Sequence, residues 1–445
     1  MPKRLIDMQN RFKLLVLFLA AILLPAANVT AQQSVEVTGT TMGSISFRVV
    51  VVAEDPQPAE MSTIKDAVND SLQRVNELMS TYLEDSDISK FNRSDSTQWQ
   101  AVEVETATVV ARALEICELT DGAFDPTVGP AVNAWNFGPG KKIVPELPAD
   151  ELIEDLKSIV GYQHIEARIK PPALKKSNPK VQLDLSAIAK GYAVDLVGKS
   201  IAGLGYEDFM VVVGGEVFTQ GQRVTGGPWN VAVEKPDSSG PTERTQDRAH
   251  RVVTLSGRAI ATSGDYRNFF EHEGKRYSHT IDPTTCRPVN HDLTVASVIA
   301  DDCMTADAMA TAVIVMGQEK GAQLCAKLGY PLLTVSRDDS EGEMSHVTNV
   351  SDDFPLSQVH ENGEPEPIAA SRDSEQKSGS ILPVFLATFL VFCLMVLGMA
   401  VGAIFNNKPV TGSCGGLANM TNEDGDSVCG ICSKPTLDCP ETSQG

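Results

Sequence analysis

Asp307 and Thr311 stand four residues apart in Thr305-Ala306-Asp307-Ala308-Met309-Ala310-Thr311, so a helix presents both on one face. Their neighbours are Ala, Met and Val, which sets the carboxylate in apolar surroundings. A buried carboxylate needs a partner, and a hard cation is one that fits. Mg²⁺ takes one or two carboxylates and completes its shell with phosphates and water. The other reading is a core Asp hydrogen-bonded within its own helix. His279 and Asp282 lie three apart in Ser278-His279-Thr280-Ile281-Asp282-Pro283. His279 offers a general base near neutral pH, with a structural histidine beside a turn as the alternative. Leu183 to Tyr192 reads as a strand turning into a helix, with Ser186 as cap and Lys190 in the first turn. The first helical amides then face an anion, and Lys190 adds positive charge; a capped core helix is the plainer reading.

Glycines mark the loops that would present these groups. Gly122-Ala123-Phe124-Asp125-Pro126-Thr127-Val128-Gly129-Pro130 holds Asp125 and Thr127 on an irregular turn. Gly214-Gly215-Glu216 puts two glycines at a strand end, which suggests a bulge or close backbone approach to a bulky group, with a hairpin turn as the alternative. Ala261 to Asp265 is a loop of small donors. Near the end of the chain stand Cys414, the pair Cys429 and Cys432, and Cys439. Thiolates in that pattern suit iron or zinc, and free or disulfide-bonded thiols are the alternative. Cys117, Cys286, Cys303 and Cys325 are scattered and read as packing residues.

The elements that must position these groups follow from pattern. Residues 35–37, 46–52, 181–185, 210–213 and 294–299 read as strands. Apolar residues at 64, 68, 72, 75 and 78 predict a helix over 61–79, and further helices are predicted over 106–119 and 303–316. Strands and helices mix without regular alternation, so the expected fold class is α+β. Residues 1–31 read as an export signal, basic at Lys3, Arg4, Arg11 and Lys13, then apolar over 14–27; an uncleaved anchor is the alternative. The body spans 35–336. An acidic linker, 337–380, is expected to be disordered, since residues 338–378 hold 11 acidic and two basic residues. The run 381–405 has 25 residues without a charge and reads as a transmembrane helix, leaving a Cys-rich tail over 406–445. The expected placement is a single-pass protein of the bacterial inner membrane, with the body periplasmic and the thiol tail cytoplasmic. The 58 acidic residues against 37 basic give a net charge of -21, which disfavours nucleic acid as a partner. An anionic ligand then needs a local cation, a lysine or backbone amides.

Together and in order, these segments resemble the ApbE family of FAD:protein FMN transferases. The match also includes Thr41-Met42-Gly43-Ser44, Met79-Ser80-Thr81-Tyr82 and Ala306-Asp307-Ala308. The resemblance implies a divalent metal, Mg²⁺ or Mn²⁺, with FAD as substrate. It also implies transfer of FMN to a Thr or Ser hydroxyl of a flavoprotein, with release of AMP. It places flavin contacts on Met42, Tyr82, Ala123, Phe124, Asp125, Asp184, Lys190 and Ile281. The metal would be held by Asp307, Thr311 and the carbonyl of Ala187, and His279 would be the base, with Asp282 beside it. Many members carry a lipid-anchoring Cys after the signal; Val29-Thr30-Ala31-Gln32 has none. Residues 381–440 resemble the NqrM family, on the apolar helix, Asn407-Lys408-Pro409, Gly412-Ser413-Cys414-Gly415-Gly416-Leu417 and the later cysteines. That resemblance implies maturation of a Na⁺-translocating NADH:quinone reductase, with iron on Cys414, Cys429, Cys432 and Cys439. Two other readings of the body remain: an FAD pyrophosphatase giving FMN and AMP, and a non-enzymatic flavin-binding scaffold for assembly. Asp307→Ala is expected to abolish either chemistry while leaving the fold largely intact.

Overall fold

This computed structural model describes residues 32–138, 147–234, 236, 249–264, 268–338 and 345–357. The chain divides into two units, Met1–Ile368 and Ala369–Gly445, and every described residue belongs to the first. Its first part holds β1 (Gln32–Thr41), β2 (Ile45–Glu54), α1 (Pro58–Met79), α2 (Asp87–Arg93), β3 (Gln100–Ala101) and α3 (Val104–Leu119). Then come α4 (Gly129–Ala134), α5 (Asp150–Lys157), β4 (Ile165–Ile169), β5 (Pro172–Lys176), α6 (Ala189–Gly203), β6 (Phe209–Val213) and β7 (Glu216–Gln220). Next are β8 (Trp229–Glu234), β9 (Ala249–Leu255), β10 (Arg258–Gly264), β11 (Phe269–His272), β12 (Lys275–Ser278), β13 (Ile281–Asp282) and β14 (Arg287–Pro288). Last are β15 (Leu293–Ala300), α7 (Cys303–Met316), α8 (Gln318–Leu328), β16 (Leu332–Asp338) and β17 (Ser345–Val350).

Eight strands form one sheet in the order β1-β2-β6-β7-β10-β15-β16-β17, every neighbouring pair antiparallel. Alternate side chains point to opposite faces of a strand. On one face Val49, Val51, Val211, Val213, Ala261, Ala296 and Val298 share a core with α1, α6 and α7. On the other, Val217, Ile260, Val295, Ile299 and Val335 pack with Val231, Val233, Val253 and Leu255 of the β8–β9 hairpin. Both faces are covered, so all eight residues of β15 are buried. That explains why its sequence is a continuous apolar run instead of an alternating one.

The helix over 61–79 is found as α1, with Ile64, Val68, Leu72, Val75 and Leu78 buried. The strand expected over 181–185 does not form. Neighbouring side chains take its backbone groups: Leu183 donates to Asn92 Oδ1 at 2.7 Å, and Asn92 Nδ2 donates to the Leu183 carbonyl at 2.8 Å. Lys176, wholly buried, donates to the carbonyls of Pro179 and Val181. The expected linker also begins too early. β17 pairs with residues 333–338 of β16, Phe354 is buried, and the Thr254 amide donates to the Pro355 carbonyl at 2.9 Å. A short, half-exposed polar edge strand flanked by acidic residues has the composition of a linker, which hid it. Among the described residues no helix is long and apolar enough to cross a membrane. The expected signal 1–31, helix 381–405 and cysteine tail lie outside the described residues.

Candidate functional site

A two-residue turn at Gly214-Gly215 joins β6 to β7, Val213 facing Glu216 across it. Both glycines have positive φ, 65° and 110°, which such a tight hairpin requires. The turn delivers Glu216 to the wall of a cavity of about 1050 Å³ between the sheet end, α6, α7 and the loops. That volume is at the upper end of small-molecule sites and has room for a dinucleotide. Tyr82, Ala123, Phe124, Asp125, Asp184, Ala187, Lys190, His279, Ile281, Asp307 and Thr311 all line it.

The charged centre lies where α6 crosses α7. Lys190 Nζ donates to Glu216 Oε1 at 2.8 Å and to Asp307 Oδ1 at 3.0 Å. Asp307 and Glu216 are almost fully buried. Burial presses the Lys190 ammonium towards its neutral form, but the carboxylates of Asp307 and Glu216 more than reverse this and raise its pKa. Burial raises the Glu216 carboxyl, with Lys190 opposing. The Gly191 amide donates to Asp307 Oδ2 at 3.0 Å instead of to the Ala187 carbonyl, so that carbonyl loses its helical donor. Thr311 Oγ1 pairs with Ser263 Oγ at 3.0 Å. Asp307, Thr311 and Ala187 all line the cavity, and the carboxylate, hydroxyl and backbone carbonyl they carry are hard oxygen donors. Glu216 Oε2 is buried without a hydrogen-bond partner, which leaves an acceptor over for a further cation. Among the described residues no group of three or more His, Cys, Asp or Glu converges. The residues therefore fit Mg²⁺ or Mn²⁺ that keeps water and substrate oxygens in its shell, not a cage made by protein alone.

The loops opposite are stiffened by two small polar turns. Asp125 Oδ1 accepts from the Thr127 amide at 2.8 Å and its hydroxyl at 2.6 Å, and Oδ2 accepts from the Tyr162 amide at 2.6 Å. Burial raises the Asp125 carboxyl against these bonds. Its carboxylate is thus committed to the loop at the cavity wall. Asp184 Oδ1 accepts from the Ser186 amide at 2.9 Å and from its hydroxyl, and the Asp184 amide donates to the Pro126 carbonyl at 2.7 Å. Ser186 is therefore not the cap of α6: the residue before the helix is Ile188, which makes no side-chain cap bond.

The Asn268 carbonyl helps to orient His279. Its amide and its Nδ1 both lie within bonding distance of the Asn268 carbonyl, at 3.1 and 3.0 Å. A carbonyl only accepts, so Nδ1 carries the proton and the neutral ring has its lone pair on Nε2. Two expected site residues do not line the cavity. Asp282 Oδ1 accepts from the Thr284 amide at 2.8 Å and its hydroxyl at 2.7 Å, closing the β13–β14 turn. Met42 sits at the β1–β2 turn with φ 47° and packs against the core, while Ser44, Ile45 and Ser46 after it line the wall. Glu216 and Ser263 were not among the expected site residues; the double glycine before Glu216 was the available signal for the first. The tail cysteines Cys414, Cys429, Cys432 and Cys439 lie outside the described residues.

Comparison with known proteins agrees with this geometry. Residues 40–333 match the model of the ApbE family, and residues 403–442 match the (Na+)-NQR maturation family NqrM. The chain is 39% identical over 322 residues to a FAD:protein FMN transferase of Vibrio cholerae, covering 72% of this chain and 93% of that one. It is 35% identical over 302 residues to the FAD:protein FMN transferase of Escherichia coli K12, covering 67% and 83%. Among solved structures, the flavin transferase ApbE from Vibrio cholerae superposes with a TM-score of 0.63 at 36% identity, covering 73% of this chain and 98% of that one. The apo flavinyl transferase ApbE of Pseudomonas stutzeri gives 0.64 at 33% identity, covering 73% and 96%.

Proposed function

We propose that this chain, which belongs to the ApbE family and is a transferase, moves the FMN part of FAD onto a Thr or Ser hydroxyl of a flavoprotein subunit. One observation carries the reading most: His279, Lys190, Asp307 and Thr311 meet the 123–125 and 184–187 loops in a single cavity of dinucleotide size. The acceptor hydroxyl oxygen attacks the phosphorus of the FMN half. A new O–P bond forms, the diphosphate O–P bond breaks, and AMP leaves. The hydroxyl proton goes to His279 Nε2, the ring nitrogen left basic by the Nδ1 contact with Asn268. Lys190 meets diphosphate charge, and the stiff loops holding Asp125 and Asp184 fix the nucleotide in line with the attacking oxygen. A divalent cation held by Asp307, Thr311 and the Ala187 carbonyl would neutralise charge on the diphosphate.

The acceptor we propose is a subunit of a Na⁺-translocating NADH:quinone reductase or a related electron-transfer complex; the NqrM match at 403–442 supports it. The same match supports iron binding by the tail cysteines. We also propose export of the body, cleavage or retention of the 1–31 segment, and anchoring through 381–405 in the bacterial inner membrane, on the strength of their apolar sequences. Products separate the readings of the body. The chain is incubated with FAD, Mg²⁺ and an acceptor domain. Flavin-labelled acceptor with stoichiometric AMP is expected. Free FMN and AMP with unlabelled acceptor would mean hydrolysis, and intact FAD would mean a binding scaffold.

A further inference from the structure

Lys190 is shared by two buried carboxylates, one cation against two anions. A structural ion pair needs one carboxylate, and a second buried one is costly unless another positive charge joins it. The two carboxylates differ in what they have left to give. Asp307 is bonded at both oxygens, Oδ1 to Lys190 and Oδ2 to the Gly191 amide. Glu216 is bonded at Oε1 alone, and its Oε2 is buried with no partner. Glu216 is also anchored at the first position of β7 by the tight turn before it, whereas Lys190 carries three donors on a flexible stem.

Building on the cation site proposed above, we propose that Glu216 is a positioning residue: it draws Lys190 off Asp307, so that Asp307 Oδ1 is released to a divalent cation. The movement needs only a pivot of the ammonium towards Oε2, the acceptor left over. Lys190 then stands beside the cation, neutralised by Glu216 instead of repelling it. Without that carboxylate Lys190 has, among the described residues, Asp307 as its counter-charge, and competes with the cation for the same oxygen.

The test is equilibrium binding of Mn²⁺ to the full chain in detergent, followed by the paramagnetic signal of free Mn²⁺ with no FAD present. Glu216→Gln is expected to weaken binding about tenfold or more. The double variant Lys190→Gln with Glu216→Gln removes the competitor as well and keeps the wild-type net charge, and is expected to bind within about threefold of wild type. Unchanged binding in Glu216→Gln overturns the proposal. A double variant as weak as the single one overturns it too, because Glu216 would then act on the ion directly. If the wild type itself binds no Mn²⁺, the cation site fails and the proposal with it. Should either variant not fold, a wild-type crystal grown with Mn²⁺ decides. Lys190 bonded to Glu216 alone is expected, and Lys190 still bonded to Asp307 overturns the proposal.

Discussion

Asp307 serves two purposes, and a choice of substitution separates them. Its Oδ2 holds the Gly191 amide and its Oδ1 faces Lys190. Asp307→Ala orphans that amide, so stability is expected to fall by about 1–3 kcal/mol while the fold stays largely intact. Asp307→Asn keeps an acceptor for the amide but loses the charge. It is expected to lower AMP release by roughly a hundredfold or more while thermal unfolding shifts much less than in the alanine variant. His279→Gln removes the proposed base without touching the charged centre. AMP release is expected to drop by about 10² to 10⁴, with FAD affinity, read from quenching of flavin fluorescence, little altered. Asp282 shows where reading a motif residue by residue misleads. It stands three from His279 in sequence, but its carboxylate is taken up by Thr284 in its own turn. Nothing in residue type or spacing distinguishes an acid that closes a turn from one that does chemistry.

At the scale of elements, the site depends on how closely α6 approaches α7. A Cβ on Gly191 would lie 2.3 Å from the Cys303 carbonyl oxygen, and Asp195 of α6 accepts the Cys303 and Met304 amides at 2.8 Å each. The glycine permits the contact and the aspartate caps the start of α7. Gly191→Ala is therefore expected to cost about 3 kcal/mol in urea unfolding and to separate Lys190 from Asp307. An unchanged midpoint would contradict this packing. The strongly periodic elements were legible from sequence: α1 by its spacing, α7 and β15 by their apolar runs. The 181–185 segment was not, although it looks like a strand. Its partners are the side chains of Asn92, far away in sequence, and of Lys176 at the end of β5. Side-chain bonding of that kind leaves no periodic trace.

The molecule as a whole closes its sheet later than its sequence suggests. Phe354 packs on the second face with Val335 and Val253, after β17 has completed the edge. Phe354→Ala is expected to destabilise the domain by about 3 kcal/mol in urea unfolding, although it lies in a stretch that reads as linker. The acidic balance of the chain is compatible with an anionic substrate only if positive charge is supplied locally, the role proposed for Lys190 and an added cation. That requirement links the charged centre to the transfer reaction and is open to direct measurement. The intact mass of an acceptor domain is recorded after incubation with the chain and FAD, once with Mg²⁺ and once with a chelator in excess. The account predicts one covalent flavin nucleotide per acceptor with Mg²⁺, none with chelator, and recovery when Mg²⁺ is restored. Full labelling in the presence of chelator would contradict it.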